Sequence, residues 1–299
     1  MSQHYWGIDL GGTKIEGVVL SSTNEPKPLL RLRVPTEANR GYEHVIGQFC
    51  KLIGQMEGEV GTRPDRIGIC TPGVVDPYTQ RLKNCNATSL NGQLLTRDLQ
   101  SALEMQIVTS NDANCFALAE ARLGAARGAE SVFGVIIGSG VGGGIVVGNQ
   151  ALYGGQGIAG EWGHNLLAAD GPDCYCGRRG CVETILAGPF LERHYAALAG
   201  LHRPLAEVAV RAVNREDVHA TATIDRLVTY FGMAIASVIN IVDPHVVVLG
   251  GGVSNIDALY TRGVEQVEQY VFNHRLDTRI VRHELGDSAG VFGAAMLVA

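Results

Sequence analysis

The sequence predicts an α/β fold built as two related halves, and three observations carry that reading. A strand pair around a glycine turn occurs twice, near Asp9 and near Ser139. Apolar runs of strand length alternate with longer segments whose apolar residues recur at helical spacing. Glycine clusters stand at strand ends, the edge at which α/β sheets take their ligands.

Residues 5–10 and 14–20 flank Gly11-Gly12 and read as a hairpin. Residues 29–34 alternate Leu and Arg, which suits a third strand with one wet face. Val45, Ile46, Phe49, Leu52, Ile53 and Met56 predict a helix over 41–56. A buried strand at 67–70 is stopped by Thr71-Pro72-Gly73, and another at 107–109 leads into a helix from about 113 to 123. The pattern then restarts. A strand at 132–137 ends in Gly138-Ser139-Gly140-Val141-Gly142-Gly143-Gly144, read as a second glycine turn. A strand at 145–147 follows, with Gly148-Asn149 as its turn. A Gly- and Cys-rich loop fills 154–180. Helices are expected at 183–198, 204–214, 220–241, 256–270 and 289–297, with strands at 246–249 and 280–284. No Pro- or Ser-rich linker interrupts the chain. The join is expected near residue 113: a small domain of 1–113 plus about 286–299, a large domain of 114–285, and a cleft between them.

At 299 residues the chain has room for roughly two domains of ~150 residues each. It is 46% hydrophobic, 18% charged and 6% aromatic, which excludes a disordered or coiled-coil chain. Its 24 basic and 30 acidic side chains leave a net charge of -6, a poor match to nucleic acid. No apolar run approaches the ~20 residues of a membrane span, and residues 1–6 lack the basic and apolar regions of a signal peptide. A cytoplasmic protein without membrane partners is expected. Glycine, at 39 residues, is over-represented and clustered, which suggests tight backbone turns beside a ligand. Cys50, Cys70, Cys85 and Cys115 sit among apolar residues and read as reduced, buried thiols.

Four segments carry chemistry. In Asp9-Leu10-Gly11-Gly12-Thr13-Lys14, two glycines let backbone N–H groups approach an anion, Thr13 adds a hydroxyl, and Asp9 could hold a Mg²⁺-bound water. A bare hairpin turn is the plainer alternative. Gly138 to Gly144 and Gly250 to Gly252 are two further clusters. None is specific alone, and both the Walker pattern and the Rossmann strand–helix context are missing, but three glycine turns at strand ends suit a bound nucleotide. Asp112 in Asn111-Asp112-Ala113-Asn114 lies where a strand gives way to a helix. It reads either as an N-cap or as a general base for an alcohol, oriented by neighbouring amides. Finally, His164, Cys174, Cys176 and Cys181 fall within eighteen residues and form a Cys₃His set, the donors of a closed structural zinc site. A disulfide would leave one thiol over and suits an oxidising compartment. Glu161 and Glu183 bracket the set, so a metal there would fix two carboxylates of the type that bind vicinal sugar hydroxyls.

Together, Asp9-x-Gly-Gly-Thr13, Asn111-Asp112, Gly160-Glu161-x-Gly-His164 and Cys174-x-Cys-Gly-x₂-Gly-Cys181-x-Glu183 resemble the ROK sugar kinases, in order and over the whole chain. The resemblance implies the actin-like ATPase and hexokinase-type fold, with two α/β domains closing over ATP and a hexose. It implies Asp112 as catalytic base, with Asn111, Glu161, His164 and Glu183 on sugar hydroxyls. His164 would serve zinc with one ring nitrogen and sugar with the other. Thr71, Pro72, Gly73 and Asn86 would line the sugar pocket. Asp9, Gly11, Gly12, Thr13, Lys14, Gly138, Ser139, Gly140, Gly142, Gly143, Gly250, Gly251 and Gly252 would hold ATP with Mg²⁺. Ser139 stands where many relatives have Thr, which keeps the hydroxyl. The expected reaction is ATP-dependent phosphorylation of the 6-hydroxyl of fructose, mannose or glucose, with an N-acetylhexosamine as the alternative acceptor. The family also contains sugar-sensing repressors. These carry an N-terminal DNA-binding extension for which no room precedes Asp9. Relatives are commonly dimers, and a homodimer is expected.

Overall fold

The computed structural model describes residues 4–85 and 88–299. In chain order it has β1 (Tyr5–Leu10), β2 (Lys14–Leu20), β3 (Pro28–Pro35), α1 (Tyr42–Val60), β4 (Arg66–Thr71), β5 (Val74–Val75), β6 (Leu82–Lys83), α2 (Leu95–Leu103), β7 (Gln106–Asn111) and α3 (Asp112–Leu123). There follow β8 (Ser131–Ile137), β9 (Val141–Val147), β10 (Gln150–Ala151), α4 (Val182–Leu186), α5 (Gly188–Ala199), α6 (Leu205–Val213), α7 (Val218–Val242), β11 (Val246–Gly250), α8 (Arg262–Tyr270), β12 (Arg279–Arg282) and α9 (Ala289–Met296).

The two large sheets run β3-β2-β1-β4-β7 and β10-β9-β8-β11-β12. In each, an antiparallel run leads into a parallel set: β1, β4 and β7 in the first, β8, β11 and β12 in the second. The shared strand order is the internal repeat that the paired glycine turns announced.

By compactness the chain divides into a unit of 1–130, 144–159 and 284–299 and a unit of 131–143 and 160–283. The join expected near 113 therefore falls later, because α3 packs with α9 and β4, and residues 144–159 also gather on the first unit.

In the first unit α1 covers one sheet face, burying Phe49, Leu52, Ile53 and Met56 with Ile8, Ile15, Ile67 and Ile69. α9 covers the other face at backbone range. A Cβ on Gly68 would lie 1.8 Å from the Ala294 carbonyl oxygen, and one on Gly7 2.4 Å from that of Val291. Gly293 lets α9 cross α3 equally closely, 1.9 Å from the Cys115 carbonyl oxygen. Glu120 of α3 is fully buried and accepts hydrogen bonds from the backbone N–H groups of Ala125, Glu284 and Leu285, which anchors the approach to α9. In the second unit α7 is the central helix. By length and composition it passes for a membrane span, but Leu227, Val228, Phe231, Ile235 and Ile239 are buried inside the protein.

Three expectations are corrected. The helix expected over 183–198 is two helices, α4 and α5, separated by an extended Ala187 that caps α5, whose first turn contains Pro189. The helix expected over 256–270 begins only at Arg262. Residues before it form short 3₁₀ turns, tied by Ser254 Oγ to the Gly251 carbonyl and by the Tyr260 hydroxyl to the Ser254 carbonyl. The glycine turn expected over 138–144 ends at Gly140, and Gly142, Gly143 and Gly144 lie inside β9. Two of them answer to packing: a Cβ on Gly143 would sit 2.6 Å from the Trp162 ring, and one on Gly144 2.5 Å from the Ala113 carbonyl oxygen.

Candidate active site and metal centre

In the first unit, Asp9 sits at the end of β1, paired in register with Glu16 on β2 and Cys70 on β4. The turn after it is closed by Gly11 N–H to the Lys14 carbonyl at 3.0 Å and braced by Thr36 Oγ donating to the Gly11 carbonyl at 2.7 Å. Gly12 and Thr13 are exposed, and a Cβ on Gly12 would meet nothing within 4 Å. Burial raises the Asp9 carboxyl above its ordinary range. A hydrogen bond from Cys70 opposes this, and the charges of Asp112 and Glu16 add to it. A buried carboxylate that feels further acidic charge is a suitable place for a divalent cation.

Asn111, not Asp112, is the N-cap of α3: its side chain accepts from the Asn114 N–H at 3.0 Å. Asp112 is thereby left at the first helical position, reachable from solvent, with its carboxylate accepting the adjacent Ala113 N–H at 2.8 Å and its own backbone N–H. Desolvation by the surrounding protein raises its carboxyl, partly offset by those amides. A solvent-reachable carboxylate with a raised pKa is suited to accept a proton.

Thr71, Pro72 and Gly73 form the bend between β4 and β5. The Thr71 hydroxyl is buried and spent internally, between the carbonyls of Gly73 at 2.7 Å and Ser110 at 3.1 Å. Gly73 is needed for packing, since a Cβ there would lie 2.4 Å from Cys85 Sγ. Asn86 lies outside the described residues. Lys14 forms an ion pair at 3.1 Å with buried Glu16, which also takes Arg31 and Arg33. This knot of charge was not read from the sequence, although the Arg spacing on β3 and Glu16 on β2 were visible.

In the second unit, the turns after β8 and β11 lie side by side: the Cβ position of Gly138 is 4.0 Å from the Gly252 nitrogen. Gly251 has φ +81 and would collide with the Ile137 carbonyl if it carried a side chain. Ser139 and Gly252 are exposed, and Gly250 closes β11. Exposed glycine amides at the C-terminal edge of parallel strands can cradle phosphate.

Glu183, in the first turn of α4, is nearly buried, and its Oε2 accepts the Val141 N–H at 3.0 Å. Trp162 pins the segment carrying Glu161 and His164: its indole N–H reaches the Gly142 carbonyl at 3.2 Å, and its ring meets Phe133 edge-on.

The donor atoms of His164, Cys174, Cys176 and Cys181 all lie within 4.8 Å of one another. Cys176 Sγ is 3.7 Å from Cys181 Sγ, and Cys174 Sγ is 3.6 Å from His164 Nδ1. With bonds of about 2.3 Å to sulfur and 2.0–2.1 Å to nitrogen, a zinc tetrahedron has S···S edges of about 3.8 Å and S···N edges of about 3.6 Å. Two of the six edges match that geometry, and the donor set fits zinc. Hydrogen bonding from Arg178 draws the Cys176 thiol down to about 6, which favours the thiolate a metal requires.

The ROK family matches residues 5–299. The N-acetyl-D-glucosamine kinase of Aliivibrio fischeri is 33% identical, over 98% of this chain and 98% of that protein. The N-acetyl-D-glucosamine kinase of Escherichia coli O139:H28 is also 33% identical over the same shares. Among solved structures, the ROK hexokinase from Thermus thermophilus superposes with a TM-score of 0.89 at 34% identity, over 99% of this chain and 97% of that one. A ROK family glucokinase from Streptomyces griseus, solved with glucose and AMPPNP, gives 0.77 at 26% identity, over 99% of both chains.

Proposed function

The chain belongs to the ROK family and is an ATP-dependent sugar kinase, and from that premise we propose that its acceptor is N-acetyl-D-glucosamine, phosphorylated at the 6-hydroxyl. The observation that carries this choice is the end-to-end likeness to N-acetyl-D-glucosamine kinases of several genera. It displaces the fructose, mannose or glucose acceptor that the motifs suggested. Glucose and mannose differ from N-acetylglucosamine at C2, and fructose differs also in its ring, whereas the motif residues address ring hydroxyls and the phosphoryl group. A plain hexose stays as a second reading, favoured by the likeness to the Thermus hexokinase.

In the proposed reaction Asp112 accepts the proton of the 6-hydroxyl as that oxygen attacks the γ-phosphorus in line. The new O–P bond forms, the bond to the β,γ-bridging oxygen breaks, and ADP leaves. Asn111, Glu161, His164 and Glu183 take the ring hydroxyls, and the 71–73 bend is assigned to the same sugar. The phosphates are held by backbone N–H groups at 11–12, 138–140 and 250–252, with Thr13, Lys14 and Ser139 adding polar side chains. Asp9 would hold Mg²⁺, which would neutralise phosphate charge. His164, Cys174, Cys176 and Cys181 would hold one zinc ion, and these four residues would then brace the loop on which Glu161 and Glu183 stand. The seven free cysteines agree with a cytoplasmic setting.

A coupled ADP-release assay over N-acetylglucosamine, N-acetylmannosamine, glucose, mannose and fructose tests the choice of sugar. N-acetylglucosamine should give the highest kcat/KM; a higher value for glucose would return the acceptor to the plain hexoses.

A further inference from the structure

The ring of His164 is engaged on both sides. Nδ1 faces Cys174 Sγ at 3.6 Å, the S···N edge of the metal tetrahedron, while Nε2 lies 3.0 Å from the Tyr175 hydroxyl. A neutral imidazole bound to metal through Nδ1 carries its proton on Nε2, so Nε2–H donates and the phenol oxygen accepts. The Tyr175 ring meets the imidazole edge-on, at 5.1 Å and 87°, yet is 80% exposed. Tyr175 thus offers His164 what a sugar hydroxyl offers, one oxygen that accepts from Nε2.

We propose that Tyr175 is a built-in stand-in for a sugar hydroxyl, occupying His164 Nε2 when no sugar is bound and displaced when the sugar arrives. The proposal rests on the reading of His164 as a sugar ligand. Its neighbours Cys174 and Cys176 are both in the metal set, so the backbone of residue 175 is fixed and the phenol leaves by side-chain rotation alone. An exposed ring gains little from burial, so its hold amounts to about one hydrogen bond, roughly a two- to tenfold preference. A sugar replaces that bond and also engages the carboxylates. Before it comes, the phenol keeps the imidazole satisfied and in the metal-binding tautomer.

The test compares zinc-loaded wild type with Tyr175→Phe, which keeps the ring and removes the hydroxyl. N-acetylglucosamine binding is measured by calorimetry without ATP, and zinc release to a chelator dye is followed with and without saturating sugar. Tyr175→Phe should bind the sugar about two- to tenfold more tightly and release zinc faster than wild type when sugar is absent. With saturating sugar the two release rates should converge. Tyr175→Ala should match Phe in affinity. Weaker sugar binding by Phe would mean that the phenol stays and touches the sugar; equal affinity with equal release would mean that it serves neither site. Either overturns the proposal while leaving the sugar site standing. No sugar binding by wild type would instead overturn the site reading beneath it.

Discussion

Glu183 Oε2 accepts the backbone N–H of Val141 at 3.0 Å, so the glycine turn after β8 is bonded to a carboxylate assigned to the sugar. A Cβ on Gly140 would stand 2.7 Å from that same oxygen. If the proposed assignments hold, the turn would serve the acceptor side as well as the phosphates.

Gly140→Val should accordingly raise the KM for sugar as well as for ATP. Displacement of a ligand carboxylate by about 1 Å can cost ~10²-fold in rate. Steady-state kinetics with each substrate varied in turn checks this. A change confined to ATP would detach Glu183 from the acceptor.

Asp112→Asn should lower kcat by about 10²–10⁴-fold while sugar binding by calorimetry survives, because the amide keeps the shape and takes no proton. Desolvation raises the Asp112 carboxyl, so the base is lost to protonation as pH falls through that raised value. The acid limb of kcat/KM should therefore lie above the ~3.9 of a free aspartate. A variant that keeps more than about a tenth of wild-type kcat would remove Asp112 as base.

Elemental analysis should find one zinc per chain. Cys176→Ser should lower both zinc content and melting temperature and raise the sugar KM, since the metal braces the loop between Glu161 and Glu183. Zinc well below one equivalent, with three titratable local thiols, would contradict the fit of the tetrahedral edges.

Two glycines of α9 should separate stability from activity. Gly293→Ala places a Cβ 1.9 Å from the Cys115 carbonyl oxygen. Overpacking against backbone, about 1–3 kcal/mol, outweighs the ~1 kcal/mol an alanine gains in a helix, so the melting temperature should fall by a few degrees. A Cβ on Gly290 meets only the Asp9 carboxylate, at 3.3 Å. Gly290→Ala should leave melting unchanged or higher and raise the Mg²⁺ concentration needed for half-maximal activity.

The sequence disclosed what rests on period and punctuation. The hairpin around Gly11-Gly12, the helix through Val45 to Met56 and the strand ended by Gly250 could be read because apolar spacing and glycine mark them directly. The Cys₃His set was legible because its donors are close in the chain. What escaped depends on partners distant in sequence. α2 shows Leu95, Leu99 and Leu103 at helical spacing, but nothing local says what they pack on. Gly143 and Gly144 looked like part of a phosphate turn, because Trp162 and Ala113, which require their bareness, lie well away from them in the chain. The cap and the base could not be separated in Asn111-Asp112 until the bond from Asn114 N–H assigned the cap to Asn111.

The closure of the first sheet by α9 has a consequence for biosynthesis. Gly7 and Gly68 reach the ribosome exit early, whereas the helix that covers them is translated only after residues 160–283. At 5–20 residues per second that interval lasts roughly 6–25 s. Through it the nascent first unit carries a bare glycine-lined face beside apolar strands. That is a surface for chaperones to shield and for neighbouring nascent chains to invade. Arg66 and Arg122 seal it from the far end, by hydrogen bonds to the carbonyls of Val298 and Met296. A stop codon before residue 289 would thus spare every residue assigned to sugar, phosphate and zinc, and still release a polypeptide whose first unit never finishes folding.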